Sequence, residues 1–330
     1  MITVGIDHGT SGIKVCIKNN NNNNNKIDYF TISRNTKNIS FLQQLEKFVK
    51  LNTIDLIVMG YSMGDGFNKI MPIDKVKNRG VLNIEGVGLK VGKGTKLFDE
   101  IKNSNIPTLL IPGIHKNTPC IDDRFKVLYS HITSPEKIAM CYCAHKTFNI
   151  NNFILSDISS NTVTLLIKEG KIFGGFDACI GAPGILHGPI DLELIRNIDN
   201  GKITANQAFS TGGVIKSIID KYKGVENTKK ELLNNYKNNN ENCKLAIESL
   251  ILGVAMEISS LSFLNNSNNV VLAGSVPNTK EYNVIDKIKT FFLNFNIKLL
   301  EGESGALGGA LIGEDILKGK RNILGLEVDF

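Results

Sequence analysis

The chain has 330 residues, of which 42% are hydrophobic and 21% charged, and it carries a formal net charge of +6. A typical domain has about 100–200 residues, so this length predicts two domains, each able to bury a core. The lysines are interspersed with acids and asparagines, without the long basic run of a nucleic-acid surface, and we therefore expect no nucleic-acid partner.

The sequence predicts neither a membrane span nor an export signal. Its longest apolar stretch, residues 250–264, is interrupted by Glu257 and several serines, whereas a bilayer span needs about 20 apolar residues. The amino terminus enters a strand pattern directly, without a basic segment or a cleavage site. The six cysteines form no CxxC pair, which favours reduced thiols. We therefore expect a cytoplasmic protein.

The first half of the chain predicts a βββαβ order. A glycine-containing turn follows the first strand, and an asparagine tract at residues 19–25 forms a hairpin loop after the second. Ser40 can cap a helix whose apolar positions run from Phe41 to Val49. The predicted strands are Thr3–Ile6, Ile13–Lys18, Ile27–Ile32 and Asp55–Met59.

Residues 60–117 are richer in glycine and lysine and are predicted to be an insertion within the first domain. They contain a helical pattern at Leu97–Lys102 and an apolar strand at Thr108–Ile111. A helix that begins at Pro135 and runs to about Thr147 closes this domain. The predicted domains are therefore residues 1–147 and 148–330.

The second half repeats the opening pattern. Three strands are predicted again, at Phe153–Ser156, Thr162–Lys168 and Lys171–Phe176. Helical patterns follow, including Leu192–Ile198 and the long run 242–264, before a short buried strand at Val270–Leu272. The repeated order predicts an α/β protein built from two related domains.

An aspartate ends the first strand of each half and is followed by a turn of small residues. Such turns expose backbone N–H groups that can bind phosphate oxygens, and small side chains let a phosphate approach the backbone. Asp7 and Asp157 would repel bare phosphates, but together they can hold the water ligands of a Mg²⁺ ion that bridges the phosphates. The candidate phosphate-binding residues are Gly9, Thr10, Ser11 and Lys14 in the first half, and Ser159, Ser160 and Asn161 in the second.

Either turn by itself could equally be a β-hairpin in which Asp and Gly serve local geometry. The occurrence of both turns favours a site in which they clamp one triphosphate. A third element, Gly274 and Ser275, follows the strand Val270–Leu272 and has small side chains suited to lying against an adenine ring.

The order of these motifs resembles the acetate and sugar kinase, Hsp70 and actin superfamily. Proteins of that superfamily have, in order, a first phosphate motif, a second phosphate motif, an adenosine motif and a final helix with small residues. The corresponding positions in this chain are Asp7, Asp157, Gly274 and residues 304–310. The stretches 174–178 and 181–184 look closest to the acetate and butyrate kinase branch. The whole sequence resembles the archaeal methanogenesis marker protein 12 family, which is kinase-like.

This resemblance implies an actin-like ATPase fold, with two ribonuclease-H-like lobes that close over ATP and Mg²⁺ in a cleft between them. It implies a phosphotransferase or ATPase linked to methanogenic metabolism. Related kinases pair through the second lobe, so the apolar helix Leu245–Leu264 could contribute to a homodimer, although a core helix would show the same pattern.

The acyl kinases that this sequence resembles carry an arginine in the loop after the second-lobe strands, but residues 184–191 of this chain contain none. His187 or Asp191 could substitute for it in part, and Asp123 and Arg124 could supply a base and a cation. Local roles are the alternatives: a loop histidine at His187, a helix cap at Asp191 and a structural ion pair at Arg124. The candidate catalytic residues are Arg124, His187 and Asp123.

The missing arginine also supports a second hypothesis, an ATP-driven activator or regulator that acts on a protein partner without small-molecule kinase activity. Some activators of this superfamily hold an iron–sulfur cluster, and Cys141 and Cys143 lie on a predicted helix. Their spacing separates the two side chains by about 200° around a helix, which favours buried core cysteines over cluster ligands.

Overall fold

The structure, a computed structural model, describes residues 1–9, 12–21, 24–33, 40–61, 66–76, 93–218, 224–265 and 267–330. Its strands are β1 (Ile2–His8), β2 (Gly12–Asn21), β3 (Asn24–Ser33), β4 (Leu56–Gly60), β5 (Met71–Pro72), β6 (Thr108–Ile111), β7 (Ile114–His115), β8 (His131–Thr133), β9 (Phe153–Ile158), β10 (Thr162–Lys168), β11 (Lys171–Phe176), β12 (Asn269–Ala273), β13 (Asn296–Leu299), β14 (Asn322–Ile323) and β15 (Leu326–Glu327). Its helices are α1 (Phe41–Glu46), α2 (Lys93–Lys102), α3 (Asp123–Leu128), α4 (Pro135–Phe148), α5 (Leu192–Asp199), α6 (Ala205–Thr211), α7 (Val225–Lys237), α8 (Glu241–Ser262), α9 (Val284–Phe291) and α10 (Ser304–Leu317).

The chain divides into two compact units. Unit 1 comprises Met1–Ile150, Gly170–Ile172 and Glu303–Phe330, and unit 2 comprises Asn151–Glu169 and Phe173–Gly302. Each unit contains one main sheet, and each sheet has helices from its own unit packed against it. This architecture is of the α/β class that the sequence predicts.

Unit 1 contains a six-stranded sheet in the order β3-β2-β1-β4-β6-β5. Strand β1 pairs antiparallel with β2 and parallel with β4, so a strand that returns after α1 extends the opening hairpin. Apolar side chains of these strands, such as Val4 and Val15, are fully buried. The strands predicted in the first half are therefore confirmed, because their apolar runs supply the core of this sheet.

Unit 2 contains a five-stranded sheet in the order β11-β10-β9-β12-β13. Strand β9 pairs antiparallel with β10 and parallel with β12, as β1 pairs with β2 and β4 in unit 1. The shared hairpin and parallel strand confirm the predicted duplication of one α/β unit.

Two local features differ from the sequence-based expectation. Helix α1 is capped by Ser40, whose Oγ accepts a hydrogen bond from the Gln43 N–H at 3.2 Å, but it ends at Glu46 and not at Val49. It ends there because the next two N–H groups bond to carbonyls three residues back, which tightens the final turn. The asparagine tract continues the hairpin strands, with Asn20 paired to Asn25, because the long β2 and β3 ladder sets its register.

Residues 60–117 contribute to the edge of the unit 1 sheet where the structure describes them. Strand β6 pairs parallel with β4, and the short β5 pairs antiparallel with β6. Residues 62–65 and 77–92 of this segment lie outside the described residues.

Helix α10 packs on β1 and on α4 with backbone against backbone. A Cβ atom placed on Gly5 would lie 1.9 Å from the carbonyl oxygen of Ala306, and one placed on Gly308 would lie 1.9 Å from that of Ala139. Real side chains never approach so closely, so both contacts require glycine. The small residues of α10 thus allow both β1 and α4 to pack closely against this helix.

Two adjacent acids hold α10 at a fixed rotation in unit 1. The Glu314 carboxylate lies 3.0 Å from the Lys18 ammonium of β2, and both side chains are buried. Asp315 lies 2.8 Å from Lys146 and accepts a hydrogen bond from the Tyr142 hydroxyl, both on α4. Because a buried charge is stable only when it is paired, these contacts disfavour any rotation of α10 about its axis.

One described helix, α8, is long and apolar enough to cross a bilayer by length and composition. Half of its apolar window is buried within the structure, with Ile247, Leu250 and Val254 fully inside the core. Core helices of globular proteins pass the same test, so this helix is weak evidence for a membrane span.

We predict that Gly308→Ala lowers the free energy of unfolding by about 3 kcal/mol or more, because the new methyl group must displace the backbone of α4. Gly313→Ala is the matched control on the same helix, since its Cβ would meet only side-chain atoms, the nearest at 3.1 Å. We expect the control to change stability by about 1 kcal/mol or less, because helix propensity offsets the tight contact. Urea denaturation of both variants checks this, and equal losses would contradict the backbone-contact argument.

Candidate functional site

Asp7 lies near the end of β1, opposite Lys14 of β2, and its side chain is buried. A Cβ atom on Gly305, in the first turn of α10, would lie 2.8 Å from Asp7 Oδ2. The carboxylate therefore contacts the amino-terminal end of a long helix, where the helix dipole stabilises negative charge.

The first small-residue turn is described only in part. The Gly12 N–H donates to the Gly9 carbonyl at 3.3 Å, while Thr10 and Ser11 lie outside the described residues. Lys14 Nζ lies 2.6 Å from Glu303 Oε2, and both groups are about a third exposed. The structure thus places Lys14 at the same end of α10 as Asp7, in an ion pair with the residue that precedes the helix.

Asp157 lies near the end of β9 and is almost fully buried. The Ser159 hydroxyl donates to Asp157 Oδ1 at 3.0 Å, and the Ser275 N–H donates to Ser159 Oγ at 3.1 Å. Parallel pairing of β12 with β9 sets Ala273 opposite Asp157, which brings the next residue, Gly274, to this aspartate. The segment predicted as the second phosphate motif is therefore in direct contact with the one predicted as the adenosine motif.

Gly274 is required at this contact for two independent reasons. Its φ of +95° is a backbone conformation that other residues rarely adopt. A Cβ atom there would lie 2.2 Å from Asp157 Oδ1 and 2.4 Å from Ser159 Oγ. Only glycine leaves room for the aspartate and the serine at the same time.

A loop holds the other side of the β9–β10 turn. The Ser160 carbonyl accepts hydrogen bonds from the N–H groups of Leu186 and His187, at 2.9 and 2.8 Å. A Cβ atom on Gly184 would lie 2.3 Å from the Cα of Asn161, so loop and turn touch through their backbones. The turn Ser159–Asn161 is therefore fixed from both sides, by residues 184–187 and by residues 274–275.

The His187 side chain lies in unit 2 against the ring of Phe209, with 5.2 Å between the ring centroids. Burial, and to a lesser extent the positive charge of Lys229, lower the pKa of the His187 imidazole below its ordinary value. The ring is therefore neutral at pH 7 and can accept or donate a proton at a nitrogen. Asp191, the other loop candidate, caps α5 by accepting from the Leu194 N–H at 3.1 Å.

Asp123 and Arg124 lie in the first turn of α3 in unit 1. The Arg124 guanidinium binds both carboxylate oxygens of Asp122, at 2.8 and 3.1 Å, and Asp122 also caps the helix. Asp123 is 94% exposed and lies 2.9 Å from Lys126 Nζ. The local ion pair that the sequence offered as an alternative for Arg124 is thus present.

Sequence reasoning assigned no role to Glu257, which proves to be a buried anchor of the site loop. Its carboxylate accepts hydrogen bonds from the Thr164 hydroxyl of β10 and from the Ala182 N–H, each at 2.5 Å. A Cβ atom on Gly181 would lie 2.0 Å from Glu257 Oε1. Burial raises the pKa of Glu257 to about 7. An acid inside an otherwise apolar helical run is the signal that could have indicated it.

A cavity of about 710 Å³ lies in unit 2 beyond the carboxyl ends of β12 and β13, lined by residues that include Pro277, Asn278, Val284 and Gly302. The Asn278 side-chain amide donates to the Gly274 carbonyl at 2.8 Å, which connects the cavity wall to the turn. Ligands of α/β proteins commonly bind outside the carboxyl ends of parallel strands.

The two cysteines of α4 are core residues of unit 1. Both Cys141 and Cys143 are buried, and burial raises the pKa of Cys143 to about 11. Among the residues that the structure describes, no group of three or more His, Cys, Asp or Glu side chains is arranged to hold a metal ion.

A family model described as "Protein of unknown function (DUF1464)" matches residues 5–324. The chain belongs to this family. It is 69% identical to a UPF0285 protein of Methanococcus aeolicus and 42% identical to one of Methanothermobacter thermautotrophicus. The first match covers 100% of both chains, and the second covers 100% of this chain and 99% of the relative. The family is therefore present in archaeal methanogens.

Solved structures share the fold at low sequence identity. A Francisella tularensis propionate kinase matches 94% of this chain and 98% of its own, with a TM-score of 0.63 and 15% identity. A Porphyromonas gingivalis acetate kinase matches 96% and 99%, with a TM-score of 0.62 and 11% identity. A Streptomyces griseus ROK family glucokinase, solved with glucose and AMPPNP, matches 94% and 99%, with a TM-score of 0.54 and 11% identity. These matches confirm the predicted fold, which the chain shares with an acetate kinase, a propionate kinase and a ROK family glucokinase.

The raised pKa of Glu257 gives a prediction for stability against pH. The folded protein holds the proton of the Glu257 carboxyl more tightly than the unfolded chain does. As the pH rises from about 4.5 to about 7, the free energy of unfolding therefore falls by about 3 kcal/mol in total. Its hydrogen-bond partners, the Thr164 hydroxyl and the Ala182 N–H, are uncharged and add no titration of their own. In Glu257→Gln we expect this contribution to disappear. Urea denaturation at several pH values compares the two proteins, and parallel pH profiles would contradict the prediction.

Proposed function

We propose that this chain binds ATP with Mg²⁺ and acts as a phosphotransferase or an ATPase, with each unit contributing its strand–Asp–turn motif. The observation that supports the proposal most directly is the contact of Gly274 with Asp157 and Ser159. It joins a carboxylate, a hydroxyl and backbone N–H groups at one turn, and these are the groups that bind a metal ion and a polyphosphate.

The residues present fit such a ligand. Carboxylate oxygens of Asp7 and Asp157 suit Mg²⁺ held through water, and Gly305 and Gly274 leave room for these two carboxylates. The cavity beyond β12 and β13 has the volume of a small-molecule site and would take the nucleoside. When bound, Mg-ATP would supply a phosphoryl group whose charge the metal offsets.

The similar proteins support the same assignment. The printed names include an acetate kinase, a propionate kinase and a glucokinase solved with AMPPNP. The relatives from methanogens support a role in methanogenic metabolism, as the resemblance to the methanogenesis marker protein 12 family implies. We also propose a cytoplasmic location, which is the expectation from the sequence.

His187, Asp123 and Arg124 are the candidates for residues that act on the phosphate acceptor. His187 is the stronger candidate, because its backbone is bonded to Ser160 within the phosphate turn and its imidazole is neutral. Asp123 and Arg124 would have to leave their contacts with Lys126 and Asp122 to act on a substrate. Since Arg124 is exposed, the energy of its ion pair is small and such a change is accessible.

A second candidate function is an ATP-driven activator or regulator that changes conformation to act on a protein partner. The bidentate contact of Arg124 with Asp122 favours it, because this cation already serves the cap of α3. Residues 184–191 supply no other arginine. Such a protein binds ATP without transferring its phosphate to a small molecule.

Calorimetric titration of ATP with Mg²⁺ tests the proposed site. We expect binding to the wild type and a loss of at least about tenfold in affinity for Asp7→Asn and for Asp157→Asn, because each removes a carboxylate from the metal. Asp199→Asn is the matched control, since this exposed residue ends α5 and belongs to neither motif. Thermal melting of each variant verifies that it is folded.

The outcomes separate the hypotheses. Absence of ATP binding to the wild type would overturn the proposed function, and unchanged affinity in both variants would overturn the assignment of the two aspartates. ADP formation in the same samples, measured with and without acetate or butyrate as acceptor, then distinguishes the two functions. An ATPase turns ATP over by itself and an acyl kinase does so when its acceptor is present, whereas a regulator turns ATP over slowly until its protein partner is added.

We also propose that the chain pairs with a second copy of itself through α8. Three apolar side chains of α8, Leu245, Leu252 and Met256, and that of its C-cap residue Phe263 are 50% to 78% exposed and recur at helical spacing over about 27 Å. A row of exposed apolar side chains of this kind is typical of an interface. The opposite face of the same helix is buried in the core, so apolar residues occur on both faces of α8.

Sedimentation at micromolar concentration tests this pairing. We expect the wild type to be a dimer and Met256→Glu to be a monomer, because a buried charge at the centre of the row is costly. Leu192→Glu is the control, since Leu192 is 61% exposed on a different helix, α5. A monomeric wild type would contradict the proposal.

A further inference from the structure

A lysine that carries no sequence motif lies at the phosphate turn of unit 2. Helix α7 begins after Gly224 and buries Thr228 and Leu232 completely, which fixes the orientation of the helix against the core. Lys229 follows Thr228 and is half-buried, and its ammonium lies 3.4 Å from Ser275 Oγ. The burial of its neighbour therefore positions this long side chain.

The positive charge of Lys229 lies near two segments that hold the Ser159–Asn161 turn. On one side, Ser275 contacts Lys229 with its hydroxyl and Ser159 with its N–H. On the other side, the charge of Lys229 acts on the His187 ring, whose backbone N–H is bonded to Ser160. Lys229 is thus close to both segments that hold the Ser159–Asn161 turn.

The chemistry of the turn shows what such a cation can do. Its other polar groups are neutral donors, namely serine hydroxyls and backbone N–H groups, together with the negative carboxylate of Asp157. A polyphosphate brought to this turn needs positive charge close to its oxygens, and a lysine ammonium supplies it as a mobile point charge with three donors. The neighbouring Lys230 is exposed and lies about 100° further round the helix, so it cannot take the same position.

We infer that Lys229 binds the phosphates of the nucleotide and that α7 thereby makes the site selective for nucleotides that carry a polyphosphate. This inference rests on the proposed function and adds a residue and a basis for selectivity to it. The hydroxyl of Ser275 orients the lysine, and the loop 184–187 bounds its position on the other side.

Binding titrations with ATP, ADP and adenosine, each with Mg²⁺ present, test the role of Lys229. For Lys229→Gln we expect the affinity for ATP and ADP to fall by about 10- to 30-fold, while adenosine binds as it does to the wild type. Lys229→Arg keeps the charge and should recover most of the affinity. Lys230→Gln is the matched control and should bind all three ligands as the wild type does.

Each outcome has a distinct meaning. If the wild type binds none of the three ligands, the proposed function fails and the role of Lys229 fails with it. If the wild type binds ATP and Lys229→Gln binds it equally well, the inference alone is wrong. If Lys229→Gln loses affinity for adenosine and ATP by the same factor, the lysine does not act on the phosphates, which also overturns the inference. Thermal melting of Lys229→Gln and Lys230→Gln shows whether both are equally folded.

Discussion

The backbone contact of α10 with β1 and α4 is the constraint on which the rest of unit 1 depends. Gly5 and Gly308 allow a helix to touch a strand on one side and another helix on the other, at distances that no side chain permits. The first turn of α10 is thereby set beside Asp7, where Gly305 leaves room for the carboxylate. The Lys14 ion pair with Glu303 depends on the same placement.

Unit 2 reaches a similar arrangement by different contacts. There the aspartate at the end of β9 is surrounded by loops, because Gly274 and Gly184 let two backbone segments touch the β9–β10 turn. Glu257 connects the loop that contains Gly184 to β10, because its carboxylate accepts from the Ala182 N–H and from the Thr164 hydroxyl. In both units, therefore, the environment of the strand-end aspartate is defined by backbone that approaches too closely for a Cβ atom.

The candidate residues differ in how closely they are tied to these aspartates. The His187 N–H is bonded to the turn that follows Asp157, and the Lys229 ammonium contacts Ser275, whose N–H is bonded to the same turn. Arg124, in contrast, is bound within the first turn of α3 by the residue that caps it. Arg124 would therefore contribute to a site only after its contact with Asp122 breaks.

The sequence by itself determined the features that depend on neighbouring residues. Apolar runs predicted most strands of the two main sheets, though not the edge strands β5 and β13, and cap chemistry predicted the starts of α1 at Ser40 and of α5 at Asp191, because hydrophobic period and capping act within a few residues. The sequence also indicated the strand–Asp–turn motifs and the small-residue turn at Gly274 and Ser275. Only the tertiary structure decided that Gly274 meets Asp157, that Glu257 anchors the site loop and that Lys229 reaches Ser275. These contacts join residues far apart in the chain, and a lysine on an amphipathic helix has the same local pattern whether it faces water or a turn.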